Sequence, residues 1–337
     1  KKEIIYNNAL LKLYDVPILY FPKFFHPDPT VSRRSGFLKP QINNSNILGN
    51  SYSIPYYSVL SENKDFTFTP FIFENSLQMY QNEYRQINKY SELYANFGYV
   101  NNYKSTIENK KNSIFNLFAD YELDLNFKKF SSSNLFISVE KVTKDTFLKI
   151  FDTHIPDSFL TPKDYDNLKN EIKISLTDNK YHFTSGLISF EDLQESNSDR
   201  YEYVLPYYNY SSTLNYNPLG GNINISSSGK NILNNTNQIK SNVINDIIYN
   251  SKDFTSSNGI KSYFVFNTKN LNSVGKNNSE YKSSPQIELM NEINLNVSYP
   301  LLKQNKNNVN YLTPRAMIKI NPSDMKDYSS SNITTNV

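Results

Sequence analysis

Few residues in this chain have a type and spacing that could do chemistry, and the clearest are two adjacent arginines. Arg33-Arg34 precede Ser35-Gly36 in a stretch dense in proline and aromatic side chains, with Val16-Pro17-Ile18-Leu19-Tyr20-Phe21-Pro22 before it and Phe37-Leu38-Lys39-Pro40 after it. A guanidinium presents a planar fork of donors that matches phosphate or carboxylate oxygens two at a time. The pair therefore has three readings: a contact with phosphate groups, a salt bridge at the rim of a sheet, or a solvated corner. Pro40 and Pro55 carry chemistry of another kind, because proline has no N–H to give to a β-ladder. Each marks a place where neighbouring strands pair weakly, and a weak seam is where a sheet can open.

Nothing else in the sequence asks for catalysis. His26, His154 and His182 have neither another His nor a Cys at metal-ligand spacing, so no metal site is expected. No Gly-x-Ser-x-Gly elbow, phosphate loop or dinucleotide fingerprint is present. Asp120, Glu122 and Asp124 alternate with apolar residues, which makes them a solvated wall rather than an acid–base pair. The expectation is a protein that is no enzyme and needs no cofactor. The absence of cysteine excludes a disulfide scaffold and a Cys-based zinc site in this segment. A net charge of +3 over 337 residues is too small to argue for nucleic acid.

The elements that must position these residues are strands. From Leu117 to Phe127 the odd positions are apolar or aromatic and the even ones include Asp120, Glu122, Asp124 and Asn126; Ile287 to Tyr299 repeats the split. Such alternation makes a strand with one apolar and one polar face. Several runs reach the about 9–11 residues that a tilted strand needs to cross a bilayer. A mean hydropathy of −0.59 and 38% hydrophobic residues suit a barrel with a wet lumen. The odd residues of both runs are expected to face lipid and the even ones the lumen. Polar clusters such as Lys128 to Asn134 and Asn267 to Ser284 read as loops. Thr161 to Leu168 reads as a helical turn opened by Thr161-Pro162. Ser226 to Lys252 shows neither period cleanly and receives no element. A secreted β-sandwich binding module also alternates, and a porin or ligand-gated outer-membrane transporter would share the strand pattern; both stay open.

Three motifs together resemble the LptD family of LPS-assembly proteins, formerly the organic solvent tolerance proteins. They are Val16 to Pro22, Arg33-Arg34-Ser35-Gly36-Phe37-Leu38-Lys39-Pro40, and Ile54-Pro55-Tyr56-Tyr57. Asp65-Phe66-Thr67-Phe68-Thr69-Pro70, Asn82-Glu83-Tyr84-Arg85, Tyr299-Pro300-Leu301 and Thr313-Pro314-Arg315-Ala316 are similar too. The resemblance implies an all-β fold: the end of a periplasmic β-jellyroll over residues 1–30, then the incomplete N-terminal portion of a large antiparallel transmembrane β-barrel over 31–337. It implies a piece of a longer protein of the Gram-negative outer membrane, with its N-terminal part in the periplasm. It further implies lipopolysaccharide as cargo, a plug lipoprotein LptE, a periplasmic bridge protein LptA, and outer-membrane lipid around the barrel. Pro40 and Pro55 keep the fifteen-residue separation of two family prolines on the first two barrel strands. Their implied role is a lateral gate between the first and last strands, with Arg33 and Arg34 as lipopolysaccharide phosphate or rim contacts. The inter-domain disulfides of better-known members cannot form within this Cys-free segment.

Overall fold

The computed structural model describes residues 3–13, 16–27, 33–104, 111–195, 200–215, 220–234, 237–306 and 308–322. The expected boundary at residue 30 lies outside the described residues. The fold is all-β and antiparallel, and among the described residues no helix is long and apolar enough to cross a membrane. The chain divides into two compact units, Lys1–Ala119 with Lys141–Thr161, and Asp120–Glu140 with Pro162–Val337.

The first unit opens with β1 (Glu3–Leu13) and β2 (Val16–Pro27), a two-stranded sheet of their own. A meander follows: β3 (Gly36–Phe37), β4 (Gln41–Ser45), β5 (Gly49–Ser53), β6 (Tyr56–Ser61), β7 (Lys64–Phe73), β8 (Gln78–Ile87) and β9 (Ser91–Lys104). β10 (Lys111–Asp124) and β11 (Ser132–Val142) give residues to both units. A segment at 143–161 holds α1 (Phe147–Ile150) and a 3₁₀ turn at Asp152–His154. The second unit continues through β12 (Asn167–Thr177), β13 (Tyr181–Asp192), β14 (Tyr201–Asn215), β15 (Gly221–Asn234), β16 (Gln238–Ser251) and β17 (Phe254–Thr255). It ends with β18 (Lys261–Lys276), β19 (Gln286–Ser298), the hairpin β20 (Leu301–Gln304) and β21 (Val309–Leu312), and β22 (Arg315–Ile320).

In the first unit one face of the sheet is covered. Every second residue of β7 from Asp65 to Phe73 is buried, as are Ser51 and Ser53 on β5, Met79 and Gln81 on β8, Asn96 and Val100 on β9, and Ile114, Asn116 and Phe118 on β10. The cover is the 143–161 segment, whose Phe147, Leu148, Phe151, His154 and Ile155 are themselves buried. Its start is tied down by Thr143, whose N–H donates to the Phe115 carbonyl (3.0 Å) while its Oγ1 accepts the Phe115 N–H (2.8 Å).

In the second unit the alternation expected of β19 is observed. Ile287 (71% exposed), Leu289, Ile293 and Leu295 lie on one face, and Glu288, Glu292 and Asn294, less exposed, on the other. β10 ends at Asp124, so Leu125 to Phe127 lie beyond the strand, and over its last four residues Glu122 and Asp124 are more exposed than Tyr121 and Leu123, the reverse of the outward odd face expected.

Two sequence-based assignments need correction, and one stretch left without an element is now placed. Thr161 to Leu168 is not helical: the Asp164 carboxylate accepts the Asp166 N–H (2.9 Å) and an Asn167 amide proton (3.0 Å). Such local side-chain bonds compete with helix formation, and β12 starts at Asn167. The helical turn occurs instead at Phe147, where three aromatic and aliphatic side chains gain burial. Asn267 to Ser284 is half strand, since residues 267–276 complete β18. Ser226 to Lys252 lies almost wholly in β15 and β16, which pair from Gly221↔Ser251 to Asn234↔Gln238. The two stretches were hidden for one reason: the Asn and Ser side chains bond to one another across the ladder, as in Asn245 Nδ2 to Asn270 Oδ1 at 3.1 Å and Asn250 Nδ2 to Asn222 Oδ1 at 3.1 Å. Side chains that elsewhere compete with the backbone thus satisfy each other across the strands, Asn245 with Asn270 on one face and Asn250 with Asn222 on the other.

Candidate functional site

The proline and arginine motifs meet on the first hairpin of the sheet. β3 and β4 are two pieces of one strand path and β5 and β6 of the next, with Pro40 in the gap of the first and Pro55 in the gap of the second. On one side of the gap Gly36 faces Tyr57 and Phe37 faces Tyr56; on the other, Gln41 faces Ser53 and Ser45 faces Gly49. Three residues, 38–40, thus oppose two, 54–55, which is a β-bulge with a proline on each side.

A backbone bond crosses the bulge, from the Leu38 N–H to the Pro55 carbonyl at 2.8 Å. In a closely spaced antiparallel pair the return bond would run from the N–H of residue 55 to the Leu38 carbonyl. Proline deletes it. Pro55 therefore thins the first hairpin itself, and Pro40 sits two residues on in the same bulge.

Arg33 stands at the entrance to this hairpin and does not point into open solvent. Its guanidinium pairs with the Asp65 carboxylate, and also donates to Tyr57 Oη (3.0 Å) and to the Glu62 carbonyl (3.0 Å). Arg85 Nε reaches the other Asp65 oxygen at 2.7 Å. The Asp65 side chain is only 8% exposed against 34% and 48% for the two arginines. A buried carboxylate flanked by two half-exposed cations is geometrically well matched, because each arginine keeps part of its hydration while the anion is neutralised. Ser35 adds a second tie, its Oγ accepting the Val59 N–H at 2.8 Å. The guanidinium of Arg34 lies over the Phe25 ring, 5.1 Å from its centroid, a cation–π contact with β2.

Four separate stretches of sequence thus converge on one cluster: Arg33-Arg34-Ser35-Gly36, Pro55-Tyr56-Tyr57, Asp65 at the head of β7, and Arg85 on β8. Of the three readings of the arginine pair, Arg33 takes the salt bridge. The roles of Asp65, Tyr57 and Arg85 were missed by reading the sequence. A usable signal existed: Asp65 leads the face that runs Thr67, Thr69, Phe71 and Phe73, so its charge needed a cation.

Beyond the bulge the hairpin meets the 143–161 segment. Asn43 Nδ2 donates to the Thr153 carbonyl at 3.3 Å, and Ser51 Oγ lies 2.8 Å from His154 Nε2. The imidazole packs between Phe71 and Phe73, with ring centroids 5.1 and 5.0 Å away. Burial pushes its pKa below the usual histidine value, against a weaker opposing pull from Asp152. A neutral ring follows, with Thr153 Oγ1 3.0 Å from Nδ1 as its second partner.

No protein-family model matches the chain. Curated relatives do. The chain is 28% identical over 170 residues to the LPS-assembly protein LptD of Idiomarina loihiensis, a match covering 48% of the chain and 21% of that relative. It is 44% identical over 66 residues to the protein of the same name from Polaromonas, covering 20% and 8%, and 35% identical over 83 residues to that of Legionella pneumophila, covering 25% and 10%. The matches therefore span about a fifth or less of the relatives' length. The family expected from Arg33-Arg34-Ser35-Gly36 and Ile54-Pro55-Tyr56-Tyr57 is that of the matched relatives, and over part of its length this chain is similar to LPS-assembly protein LptD.

Proposed function

We propose that this chain is the start of an outer-membrane barrel that inserts lipopolysaccharide into the outer leaflet. The observation that carries the membrane assignment is an inverted polarity. Ile72, Ile172, Leu187, Leu205, Ile287 and Leu289 are exposed on long strands, while Gln81, Asn96 and Asn116 are buried. Water would favour the opposite arrangement, whereas a lipid-facing barrel requires this one. The relatives' shared name supplies the cargo.

In this reading residues 1–30 end a periplasmic β-jellyroll and 31–337 begin the barrel. LptE fills the lumen of the complete protein, LptA delivers from the periplasm, and no catalytic step is involved. The lateral gate lies between the first strand, β3 with β4, and the last strand of the full-length barrel. Pro40 and Pro55 act on the first strand's own pairing: a hairpin with a bulge and a missing return bond is a pliable edge. Arg33 and Arg34 keep that edge attached to its neighbours.

The test replaces Pro40 and Pro55 with Ala together in the full-length protein and follows surface delivery of lipopolysaccharide at matched barrel levels. Slower delivery with normal assembly is expected. Unchanged delivery would remove the prolines from the gate, and a barrel that conducts solutes but moves no lipopolysaccharide would favour a porin.

A further inference from the structure

The two halves of the first strand are held by unequal means. Residues 33–37 make two ladder pairs with β6, and beyond these Arg33 makes three polar contacts around Asp65, Arg85 braces the same carboxylate, Ser35 takes the Val59 N–H, and Phe37 packs edge-on against Tyr56 with centroids 5.1 Å apart. Residues 41–45 have five ladder pairs with β5, and across the covered face Asn43 reaches Thr153 through one long neutral bond. Charge-assisted bonds to a buried carboxylate are roughly twice as strong as neutral ones, and a 3.3 Å amide contact is at the weak end of its class. The proline bulge separates the two halves.

We infer that the first strand is a hinged flap: Asp65, with Arg33 and Arg85, positions residues 33–37 as a fixed pivot, and residues 41–45 swing. The Asn43–Thr153 bond is the latch that holds the swinging part against the 143–161 segment. β5 moves less, because it is tied twice more, by its pairs with β7 from Ser51↔Phe73 to Ser53↔Phe71 and by Ser51 at His154. The inference rests on the gate proposed above and adds where that gate bends and what restrains it.

Phe37, Ile42 and Tyr99 all have exposed side chains, and a label at Phe37 gives up its ring contact with Tyr56 but leaves the Asp65 cluster and the Ser35–Val59 bond in place. Distances from residue 37 to 99 and from 42 to 99 are measured by pulsed electron resonance in the full-length protein with its plug partner. Samples with and without purified lipopolysaccharide are compared. The lipid is expected to lengthen and broaden the 42–99 distribution and to leave 37–99 unchanged. Asn43→Ala should raise the long-distance population at rest by about 2- to 12-fold, the equivalent of one lost neutral hydrogen bond. Asp65→Asn should broaden 37–99 as well. Should that variant fail to assemble, the two distances in the unmodified protein decide alone. If both distances change together, the gate stands and the pivot falls. If neither changes while delivery proceeds, the gate reading fails and takes the hinge with it. A 37–99 distance that stays sharp in assembled Asp65→Asn overturns the role of the lock.

Discussion

The covered face of the first unit and the polar face of the second are built on the same two-residue period but end in different environments. On β7 the face begins with Asp65, Thr67 and Thr69 and turns apolar at Phe71 and Phe73, where the 143–161 segment packs. In the second unit the less exposed face of β15 and β16 is polar over most of its length, with Asn250 bonded to Asn222 and Lys269 paired with Asp246 across the ladder, and it is only partly buried. Alternation fixes which residues share a face. Apolar residues on the polar side show where another segment covers it.

That contrast can be broken most directly at Phe151, which is fully buried against Phe147, with centroids 5.0 Å apart, and Tyr103, at 5.9 Å. Phe151→Ala should lower stability by about 3–5 kcal/mol, the usual result of emptying an aromatic site in a packed core. Denaturant unfolding of the full-length barrel in detergent measures it. A loss below about 1 kcal/mol would mean that the segment rests on the sheet without forming a core. Next in size is Asp65→Ala, which leaves two arginines without their carboxylate. Full burial would make this about 3–5 kcal/mol; the exposure of both arginines reduces it to about 2 kcal/mol. Arg85→Ala should do less, because Arg33 still neutralises Asp65.

A third comparison concerns glycines. An added Cβ at Gly186 would strike the Ile172 carbonyl and the Tyr207 ring, which lies across this glycine so that its hydroxyl reaches Glu171 at 2.6 Å. At Gly36 nothing lies within 4 Å of the same addition. Gly186→Ala should destabilise by about 1–3 kcal/mol through overpacking. Gly36→Ala should be within about 1 kcal/mol of neutral by the same assay. Equal effects would show that the tyrosine gives way freely.

Much of this was legible beforehand, and the misses have physical causes. Strand-forming stretches such as Ile287 to Tyr299 announce themselves because one face must be apolar whatever covers the other. The rows of Asn and Ser in β15, β16 and β18 hid their strands, since these residues are as common in turns, and only their cross-strand bonds distinguish the two. Pro40 and Pro55 stood out in the sequence as missing ladder donors, but sequence could not say that both fall in one bulge of one hairpin. The cluster around Asp65 needed four separate stretches to meet, and no local pattern encodes that meeting.

His154 offers a pH test of the covered face. Its folded pKa is held below the ordinary value by burial, so the unfolded chain takes up a proton first as pH falls. The stability that depends on the neutral ring is complete above about pH 6.5 and is lost as pH drops from there toward the folded pKa. The slope in that window is at most about 1.4 kcal/mol per pH unit. His154→Gln should flatten the difference between unfolding midpoints at about pH 8 and about pH 5. An undiminished pH dependence in that variant would place the titration elsewhere.

The smallest effect compares the same amide chemistry in the two regions. In the second unit Ser227 donates to Asn245 Oδ1 at 2.7 Å, and Asn245 Nδ2 donates to Asn270 Oδ1 at 3.1 Å. Tyr208 and Asn272 extend this row across four strands. In the first unit Gln81 Nε2 donates to Asn116 Oδ1 at 3.2 Å, and both residues are essentially inaccessible. Gln81 Oε1 and Asn116 Nδ2 have no partner among the described residues. Removing Asn245 leaves Ser227 its bond with Tyr208 and Asn270 its bond with Asn272, so Asn245→Ala should change stability by less than about 1 kcal/mol. Removing Asn116 leaves Gln81 with neither partner nor solvent, and Asn116→Ala should cost about 1–3 kcal/mol. If the two variants proved equal, Gln81 would have found another partner or water on the covered face, and the 143–161 segment would not seal it.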